Sequence, residues 1–181
     1  MSTRSRGGNI SWVVGLGALA PVAIVAHAEV YLSEDQAAHL IFPDLKLTRH
    51  ELTLSDEQAK KIETASGENV RNRRGVAYVG PGRETVFVDQ VLGKHEFITF
   101  AVGMNADGSV KGVEILEYRE TYGSQVRNPQ WRSQFTGKTT KTPFKLGSEI
   151  KNISGATLSS AHVTAGVRRL LHTYDVVHGG L

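Results

Sequence analysis

A run of hydroxyl-bearing residues opens the last long apolar segment of this 181-residue chain. Ser154-Gly155-Ala156-Thr157-Leu158-Ser159-Ser160 leads into a stretch where Val163, Val167, Leu170, Leu171 and Tyr174 recur at helical spacing. Each of Thr157, Ser159 and Ser160 carries an oxygen that could accept from the free N–H groups of a first helical turn. One such oxygen is enough for a cap. The other hydroxyls, and the small Gly155-Ala156 pair that lets backbone come close to a neighbour, suit contact with a ligand. A helix N-terminus favours an anionic one. The approach to it is basic: residues 111–151 hold eight Lys and Arg against four acids, whereas residues 29–63 hold eight acids against four bases. Two readings stay open, an anion site and a capped helix behind a solvated basic face.

The elements that must position this run read along the chain in order. Ser33 with Gln36 and Ser55 with Gln58 have capping-box spacing, so each opens a helix, the first ended by Pro43 and the second by Gly67. Four strands follow the basic stretch Arg71–Arg74, in GVAYVG, ETVFVDQVLG, HEFITFAVGM and VKGVEILEYRE. In the third, Ile98, Phe100, Val102 and Met104 share one face while Phe97, Thr99 and Ala101 take the other. Asn105–Gly108 supplies hairpin chemistry. The polar segment Thr121–Glu149 is too long to be an idle connection, and Trp131 and Phe135 within it need something to cover. The expected fold is α+β, an antiparallel sheet with flanking helices.

Residues 1–28 read as a secretory signal peptide. Arg4 and Arg6 precede the apolar run Trp12–Ala26, and Ala26-His27-Ala28 offers the small residues a signal peptidase requires. The competing reading is a retained membrane anchor, which the shortness of the run and Pro21 disfavour. Loss of Arg4 and Arg6 leaves bases and acids nearly balanced, so nucleic-acid binding is not suggested. The chain has no Cys, which excludes attached c-type haem and thiolate-held iron–sulfur clusters. His39, His50, His95, His162, His172 and His178 show no metal spacing, and no metal site or acid–base constellation is read. The domain reading is a signal peptide over 1–28, an N-terminal helical segment over 29–70 and a functional domain over 71–181.

Ser154–Ser160 resembles the flavinylation motif of the FMN-binding domain family, found in the C subunit of the sodium-pumping quinone reductase, the G subunit of Rnf complexes and the nitrous-oxide-reductase regulatory flavoprotein. The resemblance extends over Glu117–Lys138, similar to the family's Glu-Thr-Pro-Gly-Leu-Gly segment followed by a Trp and a Phe-Gly. Glu120, Thr121, Gly123, Trp131, Phe135 and Gly137 match in order, and the likeness runs from about His95 to Leu171. Tyr122, Ser124 and Gln125 replace the family's Pro, Leu and second Gly, and Lys151 stands where the family has Asp.

The resemblance implies a covalent FMN joined to Thr157 by a phosphoester. Ser154, Gly155, Ala156, Leu158 and Ser159 would surround it, and Glu120, Thr121, Tyr122, Gly123 and Trp131 would complete the site. Trp131 or Tyr122 could stack on the flavin ring, with core packing as the alternative for each. The implied function is an exported, periplasmic electron carrier that is matured by a flavin transferase and serves membrane or periplasmic redox proteins. A flavin-free sensory or partner-binding module of the same fold is the leading alternative, and a flavin reductase the second.

Overall fold

The computed structural model describes residues 29–120 and 122–178, so the signal-peptide reading of 1–28 and the site reading of Thr121 lie outside the described residues. The chain runs β1 (Glu29–Val30), α1 (Glu34–Ile41), β2 (Thr48–Thr53), α2 (Asp56–Ser66), β3 (Arg74–Val79), β4 (Thr85–Leu92), β5 (Phe97–Met104), β6 (Val110–Tyr118), α3 (Pro129–Arg132) and α4 (Thr157–Val177). These strands join one antiparallel sheet in the order β1-β6-β5-β4-β3-β2. The fold is α+β, with helices on both faces of the sheet.

Both capping boxes form. Ser33 Oγ accepts from Gln36 N at 3.1 Å and Ser33 N donates to Gln36 Oε1 at 2.8 Å, and Ser55 and Gln58 repeat the exchange at 3.2 and 2.9 Å. Two strands lie outside the sequence expectation, and both fall in the segment 29–70, which therefore contributes to the sheet as well as carrying two helices. One, β1, is only two residues long. The other, β2, reads Thr48-Arg49-His50-Glu51-Leu52-Thr53, almost wholly exposed and without apolar alternation. Such polarity suits an edge strand, where charge discourages pairing with other chains.

The alternation in β5 divides the core as its sequence implies. Ile98, Phe100, Val102 and Met104 join Phe87, Val163, Val167 and Leu171 on the face covered by α2 and α4. Ala101 joins Val86, Leu116 and Ile41 beneath α1 on the other face. Arg169 on α4 pairs with Asp89 on β4 at 2.6 Å, fixing the helix along the sheet.

A bulge in β6 sets which face its last residue occupies. Thr99 faces Glu117 and Phe100 faces Ile115, which leaves Leu116 as the extra residue. Strict alternation from Val113 and Ile115 would turn Tyr118 toward α1. The extra residue reverses the phase, and Tyr118, opposite Ile98, points to the α4 side.

The polar segment after β6 closes the end of this core. Short 3-10 turns at Ser124–Arg127 and Ser133–Phe135 flank α3, whose N-cap Asn128 accepts from Gln130 N at 2.8 Å, with Pro129 in the first helical position. Val126, Trp131 and Phe135 are buried. Phe135 meets Trp131 edge-on at 5.2 Å and stacks on Phe144 at 6.2 Å. We expect Phe135→Ala to destabilise the fold by about 3–5 kcal/mol, because the cavity removes both ring contacts. Denaturant unfolding monitored by Trp fluorescence measures this.

Candidate functional site

Thr157 is the first residue of α4, and its N-cap is Ala156, which has no side chain able to accept from the helix. Thr157 is therefore not a cap. Its exposed hydroxyl projects from a helix start whose N–H groups at Thr157, Leu158 and Ser159 have no intrahelical acceptor. In α1 and α2 a serine fills the cap position, and in α4 none does. Those N–H groups and the helix dipole form a partial positive charge suited to an anion.

The Ser159 and Ser160 hydroxyls are engaged elsewhere. Tyr118 OH donates to Tyr122 O at 2.5 Å and lies 2.9 Å from Ser159 Oγ, so Ser159 supplies the proton in that second contact. Ser160 Oγ donates to Asn152 Oδ1 at 2.8 Å, and Asn152 Nδ2 donates to Thr157 Oγ1 at 3.1 Å. One glycine permits this crowding and another shapes the turn before it. A side chain at Gly123, whose φ is +99°, would collide with Tyr118 OH and approach Ser159 Oγ to 3.0 Å. Gly155 turns the chain into α4 at φ +80°, a conformation that a residue with Cβ resists.

The helix start opens on a groove of about 550 Å³ lined by Lys94, His95, Glu120, Tyr122, Gly155, Ala156, Thr157, Leu158 and Ser159. Tyr122 is 82% exposed and Leu158 47%, so an aromatic ring and an aliphatic side chain face solvent beside Thr157. On the same groove, Glu120 Oε1 accepts from His95 N at 2.5 Å and from Glu96 N at 3.1 Å. Burial opposes ionisation of Glu120, but the N–H donors of His95, Glu96 and Lys94 and the nearby His95 charge outweigh it and hold the carboxyl below its ordinary range. Its carboxylate thus ties the β4–β5 turn to the end of β6. Lys94 and His95 are left exposed on the rim.

Residues 93–172 match the sequence pattern of the FMN-binding domain. That span is similar to an FMN-binding domain. It contains the groove, the β5–β6 hairpin, the Trp131 segment and most of α4. Over 82 residues, 40% of this chain and 40% of the relative, it is 37% identical to the G subunit of the Na(+)-translocating ferredoxin:NAD(+) oxidoreductase complex of Acetobacterium woodii. The match therefore spans about two fifths of that relative's length. The chain is 28% identical over 169 residues to the G subunit of the ion-translocating oxidoreductase complex of Shewanella piezotolerans, covering 82% of this chain and 78% of that one. The fold is similar to the crystal structure of the C subunit of Na(+)-translocating NADH-quinone reductase from Parabacteroides distasonis, with a TM-score of 0.52 at 16% identity, over 81% of this chain and 84% of that one.

Within residues 93–172, the fold gathers Glu120, Tyr122, Gly155, Ala156, Thr157, Leu158 and Ser159 around one groove, with Gly123 packed directly behind it. Ser154 sits exposed in the turn just before. Trp131 is elsewhere. It is 6% exposed, buried against Phe135, and its indole N–H donates to Lys151 O at 2.7 Å. It supports the loop before α4 and leaves Tyr122 as the groove's aromatic ring. Lys94, His95, Tyr118 and Asn152 are members that sequence reasoning missed. Tyr118 is masked by the bulge, and Lys94 and His95 read as an ordinary turn.

Because the folded state holds Glu120 below its unfolded value, the stabilisation is present at neutral pH and is lost as pH falls through the folded carboxyl's titration. Glu120→Gln is expected to unfold at lower temperature than the parent at neutral pH, with the gap closing under acid. Thermal unfolding across about pH 3–7, a window that takes in the carboxylate range and neutrality, reads this directly.

Proposed function

We propose that this chain is an exported flavoprotein electron carrier with FMN joined to Thr157 Oγ1 by a phosphoester. One observation carries the reading: the exposed Thr157 hydroxyl stands at an uncapped helix start that opens on a groove with an exposed aromatic ring. These residues fit the group. The first-turn N–H groups of α4 suit a phosphate, and Gly155 and Ala156 keep side-chain bulk away from it. Tyr122 and Leu158 offer a flat and an aliphatic surface for the ring. Lys94 and His95 line the rim with basic side chains.

When bound, a flavin supplies one- or two-electron chemistry, and the protein's contribution is orientation and tuning. The exposed Tyr122 and Leu158 would leave one side of the groove open to a redox partner. The relatives named above are subunits of ion-translocating complexes, which supports a membrane redox complex as that partner. The signal-peptide reading of residues 1–28 supports a periplasmic location, and a flavin transferase would complete maturation. Among the described residues no helix is long and apolar enough to cross a membrane.

Thr157→Ala is expected to abolish covalent flavin while the domain stays folded, since Thr157 is exposed and caps nothing. Intact mass and in-gel fluorescence of protein from an export-competent host measure attachment, and flavin retained by the Ala variant refutes the ester at 157. Tyr122→Ala is expected to keep flavin at full stoichiometry but to shift its visible spectrum and reduction potential, because a stacking surface worth about 0.5–1.5 kcal/mol is removed. An unchanged spectrum and potential would show that the ring lies elsewhere.

A further inference from the structure

Asn152 lies outside the Ser154–Ser160 motif, yet its side chain is the one that meets the Thr157 oxygen. Its Nδ2 donates to Thr157 Oγ1 at 3.1 Å. From the other side, its Oδ1 accepts from Ser160 Oγ at 2.8 Å. Ser160 is fully buried on α4, so water does not compete for that hydroxyl, and its other acceptor, Thr157 O, lies farther off at 3.1 Å. Asn152 is thus held from behind by a buried group and faces the exposed acceptor of the proposed ester. A capping role does not account for it, because both partners are side chains and the N-cap of α4 is Ala156.

The direction of the Asn152–Thr157 bond has a chemical consequence. Thr157 Oγ1 serves as the acceptor, so its own proton is not committed to Asn152. An oxygen that has exchanged that proton for phosphorus still accepts. The contact is therefore compatible with the free hydroxyl and with the ester alike. We propose that Asn152 is a positioning residue for flavin attachment, holding Thr157 Oγ1 in place for reaction and in the product. This rests on the reading of Thr157 as the attachment site. In the step itself an Oγ1–P bond forms and the phosphoanhydride bond of a flavin dinucleotide donor breaks. The nucleoside monophosphate leaves with the bonding electron pair, and the Thr157 proton passes to a base of the transferase.

The test follows initial rates of flavin incorporation by in-gel fluorescence, using purified transferase, a flavin dinucleotide and varied concentrations of the full chain. Thermal unfolding of each flavin-free variant checks its fold. For Asn152→Ala the turnover number should fall about tenfold, the loss expected for one well-placed hydrogen bond, while KM for the chain stays unchanged. Asn152→Asp should do no better, since a carboxylate cannot donate to the ester oxygen and repels the phosphate. Ser160→Ala should lower the turnover number in the same direction by freeing the Asn152 amide. A parental turnover number in both Asn152 variants overturns the proposal, as does a raised KM with turnover unchanged, which would make Asn152 part of the surface the transferase recognises. Absence of flavin from the parent chain, or its attachment at another residue, overturns the Thr157 reading and this proposal together.

Discussion

The hydrogen bond between Tyr118 and Ser159 is the joint on which the groove depends, because it ties the last strand of the sheet to the first turn of α4. Tyr118 has one proton, and Tyr122 O takes it at 2.5 Å, so the polarity of the chain is fixed from Ser159 through Tyr118 to the Tyr122 backbone. Burial pushes the Tyr118 phenol up, the Ser159 contact acts the other way, and the Glu120 charge adds to the rise, so it stays a neutral donor. The arrangement needs Tyr118 on the α4 face, and the bulge at Leu116 puts it there. It also needs Gly123, since a Cβ at that position would run into the Tyr118 and Ser159 oxygens.

Leaving the start of α4 uncapped has an energetic cost that the rest of the helix offsets. α1 and α2 are short, and each secures its first turn with a reciprocal capping box. α4 is 21 residues long and buries Val163, Val167, Leu170, Leu171, Tyr174 and Val177 against the sheet and α2. Most helical stability in folded proteins comes from such packing rather than from the ends. A missing cap costs about 0.5–2 kcal/mol, less than the burial of two of those side chains contributes. The long apolar stripe and the free helix start are therefore linked: the first stabilises α4 without a cap, and only the second offers N–H groups to a ligand.

Much of this was legible in the sequence. The two capping boxes, the four central strands and the faces of β5 follow from side-chain spacing, because each depends on neighbours within a few residues. The strands β1 and β2 were not legible, since one is two residues long and the other carries an edge strand's polar surface. The candidate site was legible as the run Ser154–Ser160, but the interior partners of that run were not. Tyr118 was hidden by a bulge that local alternation cannot reveal, and Asn152 by a contact that forms only across the turn opening α4. Trp131 poses the opposite difficulty: its position in a polar segment suits a ligand surface or a core residue equally, and only the fold distinguishes them.

That placement of Trp131 explains why so long a segment follows β6. Lys151 is gripped on both sides of its backbone, its carbonyl by the Trp131 indole at 2.7 Å and its N–H by Gln134 Oε1 at 2.9 Å. The Gln134 amide is itself fixed, donating to Trp131 O at 2.9 Å. Because Trp131 is anchored on Phe135 in the core, the grip transmits the rigidity of the core to the loop that leads into α4. Asn152 follows directly, and its side chain reaches Thr157 Oγ1 from that held position. The aromatic of the segment thus acts at one remove from the groove. Tyr122, at the start of the same segment, stays outside the core and faces the groove, so one connection both supports the helix start and furnishes its exposed ring.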